Sequence, residues 1–344
     1  MNNVLGERKK QILQEVIRDY ITSAEPIGSS QIAQKEGIDL SPATVRTVMA
    51  ELEERGYLKK SHASAGRTPT DTAYRLYVDE LMIAKPPTQD EKDALHQRFL
   101  NELHNVNDIP RDTSRILSEF ANQVGVATYP KTEDRHVEHI QFCKLKGNLV
   151  LAVLVFSSGL VENKILKLDH PIKETDLQQM HNYLNERLKG LTLREAKQRI
   201  LEEIAQEKNK YDLIFQEALL LSQQTLADMS VDVHIEGQSQ LFRGPDFMNF
   251  KEMRRLLRAL EEKTKLAHVL EDCLHSPGIK IFIGDEFQTP EINGLALITA
   301  PYCDVDGNRG LLGVLGPTRV DYARIVPLVE YTSNLITKVL QETK

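Results

Sequence analysis

The residues best suited to chemistry are cations without carboxylate neighbours. Between Arg55 and Thr70 the chain carries Arg55, Lys59, Lys60 and Arg67 and no Asp or Glu, although the 344 residues together have a net charge of −7. Such a patch suits phosphate: Lys and Arg neutralise backbone phosphates and release counterions, and a few of them give weak, salt-sensitive binding. Just upstream, the planar fork of Arg46 fits either the edge of a guanine or a phosphate. Thr44 and Thr47 fit a thymine methyl, a phosphate or ordinary surface. His62 either donates to a phosphate or stays an exposed neutral imidazole.

The elements that must position these groups are legible. Ser41 is a good N-cap, and Pro42 suits the first helical position, where its missing N–H costs nothing. Val45, Val48, Met49 and Leu52 follow the spacing of one buried helical face, and Gly56 is placed to end the helix. The opposite face carries Ala43, Thr47 and Ala50 early and Glu51 and Glu54 late. The late carboxylates would repel phosphates, so only the first turns can enter a groove, as recognition helices do. Two helices precede it: residues 7–22, with a stripe of Ile12, Leu13, Val16, Ile17, Tyr20 and Ile21 closed off by Pro26, and a short one from Ser29 or Ser30 to Gly37. After Gly56, residues 57–61 can form a strand, 63–66 are small turn residues and 67–70 can return. Three helices followed by a basic hairpin predict a winged helix-turn-helix that reads DNA. The expected contact set is Ser41, Ala43, Thr44, Arg46 and Thr47 of the helix, with Lys59, Lys60, His62, Ser64, Gly66 and Arg67 of the hairpin.

Other chemistry is thinly represented. Gly310, Gly313 and Gly316 have GxxGxxG spacing inside an apolar strand with no capped helix following promptly, which favours strand packing over a phosphate loop. Residues 304–308 (DVDGN) place the glycine too early for a calcium loop and lack a closing Glu, which favours a β-turn. His136 and His139 alternate across a strand. Cys143, Cys273 and Cys303 have neither metal-ligand nor disulfide spacing and read as reduced structural residues. Ser157, Ser158 and the histidines show no nucleophile elbow. No enzyme, metal or cofactor is expected. No apolar run is long enough to span a bilayer, and MNNVLGERKK lacks the apolar core of a signal peptide, so the expectation is a soluble cytoplasmic protein away from membranes.

Length and a 41% hydrophobic composition suit two or three domains. The first ends after the helix bearing Tyr74, Tyr77, Val78, Leu81 and Met82, where Lys85-Pro86-Pro87-Thr88 makes a stiff joint. Two helical patterns follow (Leu95, Phe99, Leu103; Ile116, Leu117, Phe120, Val124). Strands are expected over 136–145, 149–156 and 160–168, with Lys146-Gly147-Asn148 as a turn and LVLAVLVF as a central strand. Residues 171–243 then turn helical, with Thr192 and Glu195 forming a capping box. A helix over 211–229 carries Leu219, Leu220, Leu221 and Leu226, an apolar surface serving either dimerisation or core burial. After an amphipathic helix over 247–275, strands resume at 280–284, 295–301 and 309–315, and a final helix carries Pro327 near its start.

Several strings are long and unusual: EPIGS, LSPATVR, ELEERGYL, SAGR and YRLYVD in residues 25–79, then SSGLVENKI, YLNERLKGLTLREAK, EGQSQLF and VLGPTRVDYARIVPLVEYT downstream. On these the chain resembles the heat-inducible transcription repressor family of bacteria over most of its length, departing from the family pattern at Thr47, Ala63, Thr68 and Ala73. The resemblance implies an α+β multidomain protein. Residues 1–85 would be the winged helix, 90–170 with 246–344 a GAF-like α/β sheet domain, and 171–245 a mainly helical inserted dimerisation domain. It further implies a homodimer that binds an inverted-repeat operator on double-stranded DNA upstream of chaperone operons, is kept active by the chaperonin and lets go on heat stress. A two-fold protein would mirror the dyad of such a site. Two readings from other classes remain: a metabolite sensor acting through the GAF-like domain, and an enzyme with a polar cluster that spacing does not reveal.

Overall fold

A computed structural model describes residues 5–60, 66–102, 108–129, 135–168, 171–206, 220–223, 225, 233–243, 266, 269–270, 273, 278–287, 294–304, 307 and 309–342. It is a mixed helix and sheet protein, as the α+β expectation had it. The N-terminal part contains α1 (Glu7–Ser23), α2 (Ser29–Ala33), α3 (Pro42–Glu54), the hairpin strands β1 (Leu58–Lys60) and β2 (Arg67–Pro69), and α4 (Asp71–Leu76), which runs into one π-helical turn over Tyr77–Leu81. The stripe on α1 is buried at Ile12, Leu13, Val16 and Ile17, and the helix closes at left-handed Ala24, whose N–H bonds Tyr20 O. Gly56 takes the positive φ that ends α3, as its position suggested.

The body is built on an antiparallel five-stranded sheet of order β7-β3-β10-β9-β8. Its strands are β3 (Val124–Thr128), β7 (Val233–Glu236), β8 (Lys280–Ile283), β9 (Leu295–Cys303) and β10 (Arg309–Pro317). Alternation along β9 divides its side chains between two cores. Ile298, Ala300 and Tyr302 join the core that also holds Leu95 and Phe99 of α5 (Gln89–Glu102), Ile116 of α6 (Ile109–Ala121) and Val329 of α9 (Tyr322–Glu342). Leu295 and Leu297 join a second core on the other face, with Leu266 and Leu270. The glycines of β10 belong to this packing. A Cβ on Gly310 would lie 2.5 Å from the Tyr302 ring, one on Gly313 2.4 Å from Ile298 O, and one on Gly316 2.4 Å from Gln123 Oε1. Gly307 N–H bonds Asp304 O at 3.1 Å, closing a turn between β9 and β10.

A separate three-stranded sheet, β4 (Val137–Lys144), β5 (Leu149–Phe156) and β6 (Val161–Lys167), lies at the expected positions. One face of it, including Ile140, Val150, Leu154 and Phe156, shares a core with Leu177, Met180 and Leu184 of α7 (Glu174–Leu188) and Ala196 and Ile200 of α8 (Leu193–Gln206). The capping box forms: Thr192 N–H donates to Glu195 Oε2 at 2.8 Å and Glu195 N–H to Thr192 Oγ1 at 3.2 Å. Hydrogen bonding divides the chain differently from the expected ranges. Among the described residues, β4–β6, expected with the sheet of residues 90–170 and 246–344, form ladders with one another and not with the five-stranded sheet, whereas β7, expected inside the 171–245 insertion, pairs with β3. Two strands were also unforeseen. Val124, read as helical, opens β3 after Asn122 closes α6 in a left-handed conformation, and β7 was not expected at all. The expected helices over 211–229 and 247–275 lie mostly outside the described residues.

The N-terminal part is connected to the body by packing as well as by the joint at Lys85-Pro86-Pro87-Thr88. It shares one continuous core with the body, in which Tyr74 and Tyr77 meet Ile283, Tyr322 and Ile325. Arg75 Nε donates to Glu286 Oε1 at 2.8 Å and its Nη2 to Ile281 O at 2.6 Å. Arg319 Nη1 donates to Ile21 O at 2.8 Å, and Lys85 N–H to Ala323 O at 2.7 Å.

Candidate nucleic-acid interface

Ser41 caps α3 as its type suggested: its Oγ accepts from Thr44 N–H at 3.2 Å and lies 2.9 Å from Thr44 Oγ1. Val45, Val48, Met49 and Leu52 turn inward, which leaves Ser41, Ala43, Thr44, Arg46 and Thr47 exposed together on the first turns. Thr47 spends its hydroxyl proton on Ala43 O at 3.2 Å, so it can offer an outside partner only a lone pair and a methyl. Arg46 is exposed and enters no ion pair among the described residues. An ion pair between Lys9 and Glu51, 2.6 Å, ties the back of α3 to α1.

The hairpin pairs Leu58 with Pro69, Lys59 with Thr68 and Lys60 with Arg67. Leu58 is buried, and Lys59 and Lys60 are exposed. Its tip, residues 61–65, with the expected contacts His62 and Ser64, lies outside the described residues. The base of the hairpin is fixed by Thr70, whose Oγ1 donates to Gly56 O at 2.6 Å, and by a two-way backbone bridge at 2.9 Å between Ile27 and Arg67. Gly66 sits against that bridge. A Cβ there would come within 2.6 Å of the Pro26–Ile27 backbone, so the glycine serves close chain approach as well as any outside contact.

Folding changes the charge of the patch. Glu53, absent from the sequence argument, sits between two of its cations: Arg67 Nε donates to Glu53 Oε2 at 2.9 Å, and Lys60 Nζ lies 3.4 Å from Glu53 Oε1. Partial burial pushes the Glu53 carboxyl up, but Arg67 and Lys60 together hold it below the usual carboxylate range. Arg67, expected as a free cation, is only 12% exposed and committed to Glu53, and Lys60 is 50% exposed. Arg46, Arg55 and Lys59 remain exposed outside this triad. The absence of carboxylates from residues 55–70 therefore overstates the local positive charge, because α3 supplies one from fourteen residues before Arg67. No pattern along the chain signals that pairing, since the hairpin's return creates it.

Comparison with known proteins decides the family. A family model for the HrcA protein C-terminal domain matches residues 107–326. A heat-inducible transcription repressor HrcA from Geobacter sulfurreducens is 42% identical over 337 residues, covering 98% of each chain. The chain belongs to the HrcA family of heat-inducible transcription repressors. The HrcA of Syntrophobacter fumaroxidans is 38% identical over 343 residues, again covering 98% of each chain, and that of Sorangium cellulosum 36% over 344 residues. These HrcA relatives span the N-terminal helices and hairpin as well as the C-terminal domain. A solved crystal structure of a protein described as hypothetical has the same fold, at a TM-score of 0.64 and 21% identity over 99% of this chain and 100% of that one. The family is one of transcription repressors, which is a regulatory role. Among the described residues, no helix of the chain is long and apolar enough to cross a membrane.

Proposed function

We propose that this repressor binds double-stranded DNA through a winged helix formed by α1–α3 and β1–β2. The N-terminal half of α3 would lie in the major groove, with Ser41, Ala43, Thr44, Arg46 and Thr47 facing it. The hairpin, with Lys59, Lys60, His62, Ser64 and Gly66, would lie along the backbone. The observation that carries this reading is the exposed first half of α3, capped and bearing Arg46, which enters no ion pair among the described residues, while the acidic second half is tied into the protein through Glu51 and Glu53. Positive helix ends and forked guanidinium groups are what phosphates and guanine edges select.

The reading extends to a homodimer on an inverted-repeat operator, acting in the cytoplasm on chaperone operons and released by heat stress. The five-stranded sheet with α5, α6 and α9 is a GAF-like domain in this account, and the segment between β3 and β7 is its insertion. Among the described residues, the exposed apolar face of that insertion's sheet supports the dimer: Ile165 is 61% exposed, Leu149 is exposed beside it, and Leu151 pairs across strands with Ile165. Modulation by the chaperonin is carried over from the family resemblance. Fluorescence anisotropy tests the whole reading, with a duplex bearing a spaced inverted repeat compared against a single half-site at low and physiological salt. Tight binding to the full repeat alone supports it; equal binding erased by salt overturns it.

A further inference from the structure

We propose that Glu53 is a positioning residue of the DNA-reading head: it holds the hairpin to α3 through Arg67 and occupies, in the DNA-free protein, the place of a phosphate on Lys60. The inference rests on the DNA-binding reading above. Its basis is the asymmetry of the two pairs. Arg67 Nε meets Glu53 Oε2 at 2.9 Å with little exposure, and the Arg67 backbone is bonded both ways to Ile27. That contact is built into the fold. Lys60 Nζ stands 3.4 Å from Glu53 Oε1, half in solvent, on a flexible four-carbon stem. That contact is exchangeable. The cross-strand partners Lys60 and Arg67 thus share one carboxylate in two different ways.

Exchange has a thermodynamic consequence. A free lysine that meets a phosphate releases condensed counterions and steepens the salt dependence of binding by about 0.9 in log–log slope. A lysine already paired with a carboxylate adds less, because part of its charge is cancelled before the phosphate arrives and the carboxylate stays beside the phosphate afterwards. Lys60 therefore contributes little to the salt slope of the wild-type protein, and Lys59, which acts on the Asp71 carboxylate only at longer range and forms no direct ion pair among the described residues, contributes more fully. The same competition penalises every DNA on which Lys60 gains only a loose phosphate contact. Glu53 thereby lowers binding to non-operator sequence more than binding to the operator.

The test begins by selecting a preferred duplex from a random library with the wild-type full-length protein. A library that yields no enriched sequence sinks the DNA-reading proposal itself and separates that failure from this one. On the selected duplex and a scrambled one, Glu53→Gln is expected to bind scrambled DNA several-fold more tightly, with a salt slope steeper by about 0.9. Lys60→Gln added to it should return the slope to the wild-type value. Loss of affinity on both duplexes with an unchanged slope would leave Glu53 a purely structural residue and overturn the proposal. Two variants decide the matter even if Glu53→Gln folds poorly. Lys59→Gln should flatten the wild-type slope by about 0.9 and Lys60→Gln should leave it nearly unchanged, whereas equal flattening by both refutes the competition.

Discussion

The ring of Tyr74, just past the basic hairpin, lies 5.8 Å from the ring of Tyr322 at the start of α9, tilted by 42°. Both side chains are fully buried. Through this pair, the part of the chain read as a DNA-binding head is fixed to the sheet domain by packing as well as by chain continuity. Tyr322 also donates its hydroxyl to Thr318 O at 2.7 Å. Tyr322→Ala should cost about 3–5 kcal/mol, as deletion of a buried aromatic does, and Tyr322→Phe about 1 kcal/mol for the lost hydrogen bond. Urea unfolding of both variants checks this, and similar losses for the two would mean that the ring contact contributes little.

Arg46→Ala should weaken binding to a preferred duplex by about 1–3 kcal/mol and relax the choice of base at one position. Lys59→Ala should weaken all sequences alike. Repeating the selection from random DNA with each variant distinguishes the roles, and a uniform loss from Arg46→Ala would move that residue to the phosphates.

Gly66→Ala tests whether the glycine serves the fold. Its Cβ would press on main-chain atoms of Pro26 and Ile27, which cannot swing aside as a side-chain end can. Destabilisation of about 1–3 kcal/mol is expected, in the range of overpacking, and it should appear in thermal unfolding without any DNA present. Unchanged unfolding with reduced DNA affinity would place Gly66 at the ligand instead.

Arg135 is 2% exposed, between the rings of Tyr129 and Phe156, and its Nε and Nη1 have no hydrogen-bond acceptor among the described residues. Burial pushes its guanidinium down from the usual arginine range, against the pull of Glu162, whose carboxylate is 3.9 Å away. A charge so poorly repaid makes Arg135→Met neutral or stabilising, by up to about 4 kcal/mol, because Glu162 can turn to solvent. A clear fall in melting temperature would show that Arg135 orders the junction between the two sheets.

Much of this was legible along the chain, and the gaps share a cause. α1, α3, the three strands of the small sheet and α9 carry their own periodicity and caps, so local chemistry defines them. β3 and β7 are short: VGVAT follows a helix after a single left-handed Asn122, and VHIE has too few residues to display a period. They are strands because β10 and each other's edges satisfy their backbone, a requirement invisible locally. The helical pattern from residue 171 does not show that α7 and α8 share a core with β4–β6, because that packing joins elements distant in sequence. At the interface, Ser41, Arg46 and Lys59 stand exposed as their types implied. Arg67 does not, because the carboxylate that claims it comes from another element.

The order in which strands find their partners has a kinetic consequence. Gly125 pairs with Glu236 on one side and with Val314 on the other, so β3 waits for most of the chain to emerge before either edge is covered. Pairings this distant in sequence close slowly and leave strand edges open to wrong partners meanwhile. A chain with this topology is expected to fold slowly, with the edges of β3 open until β7 and β10 have both been made.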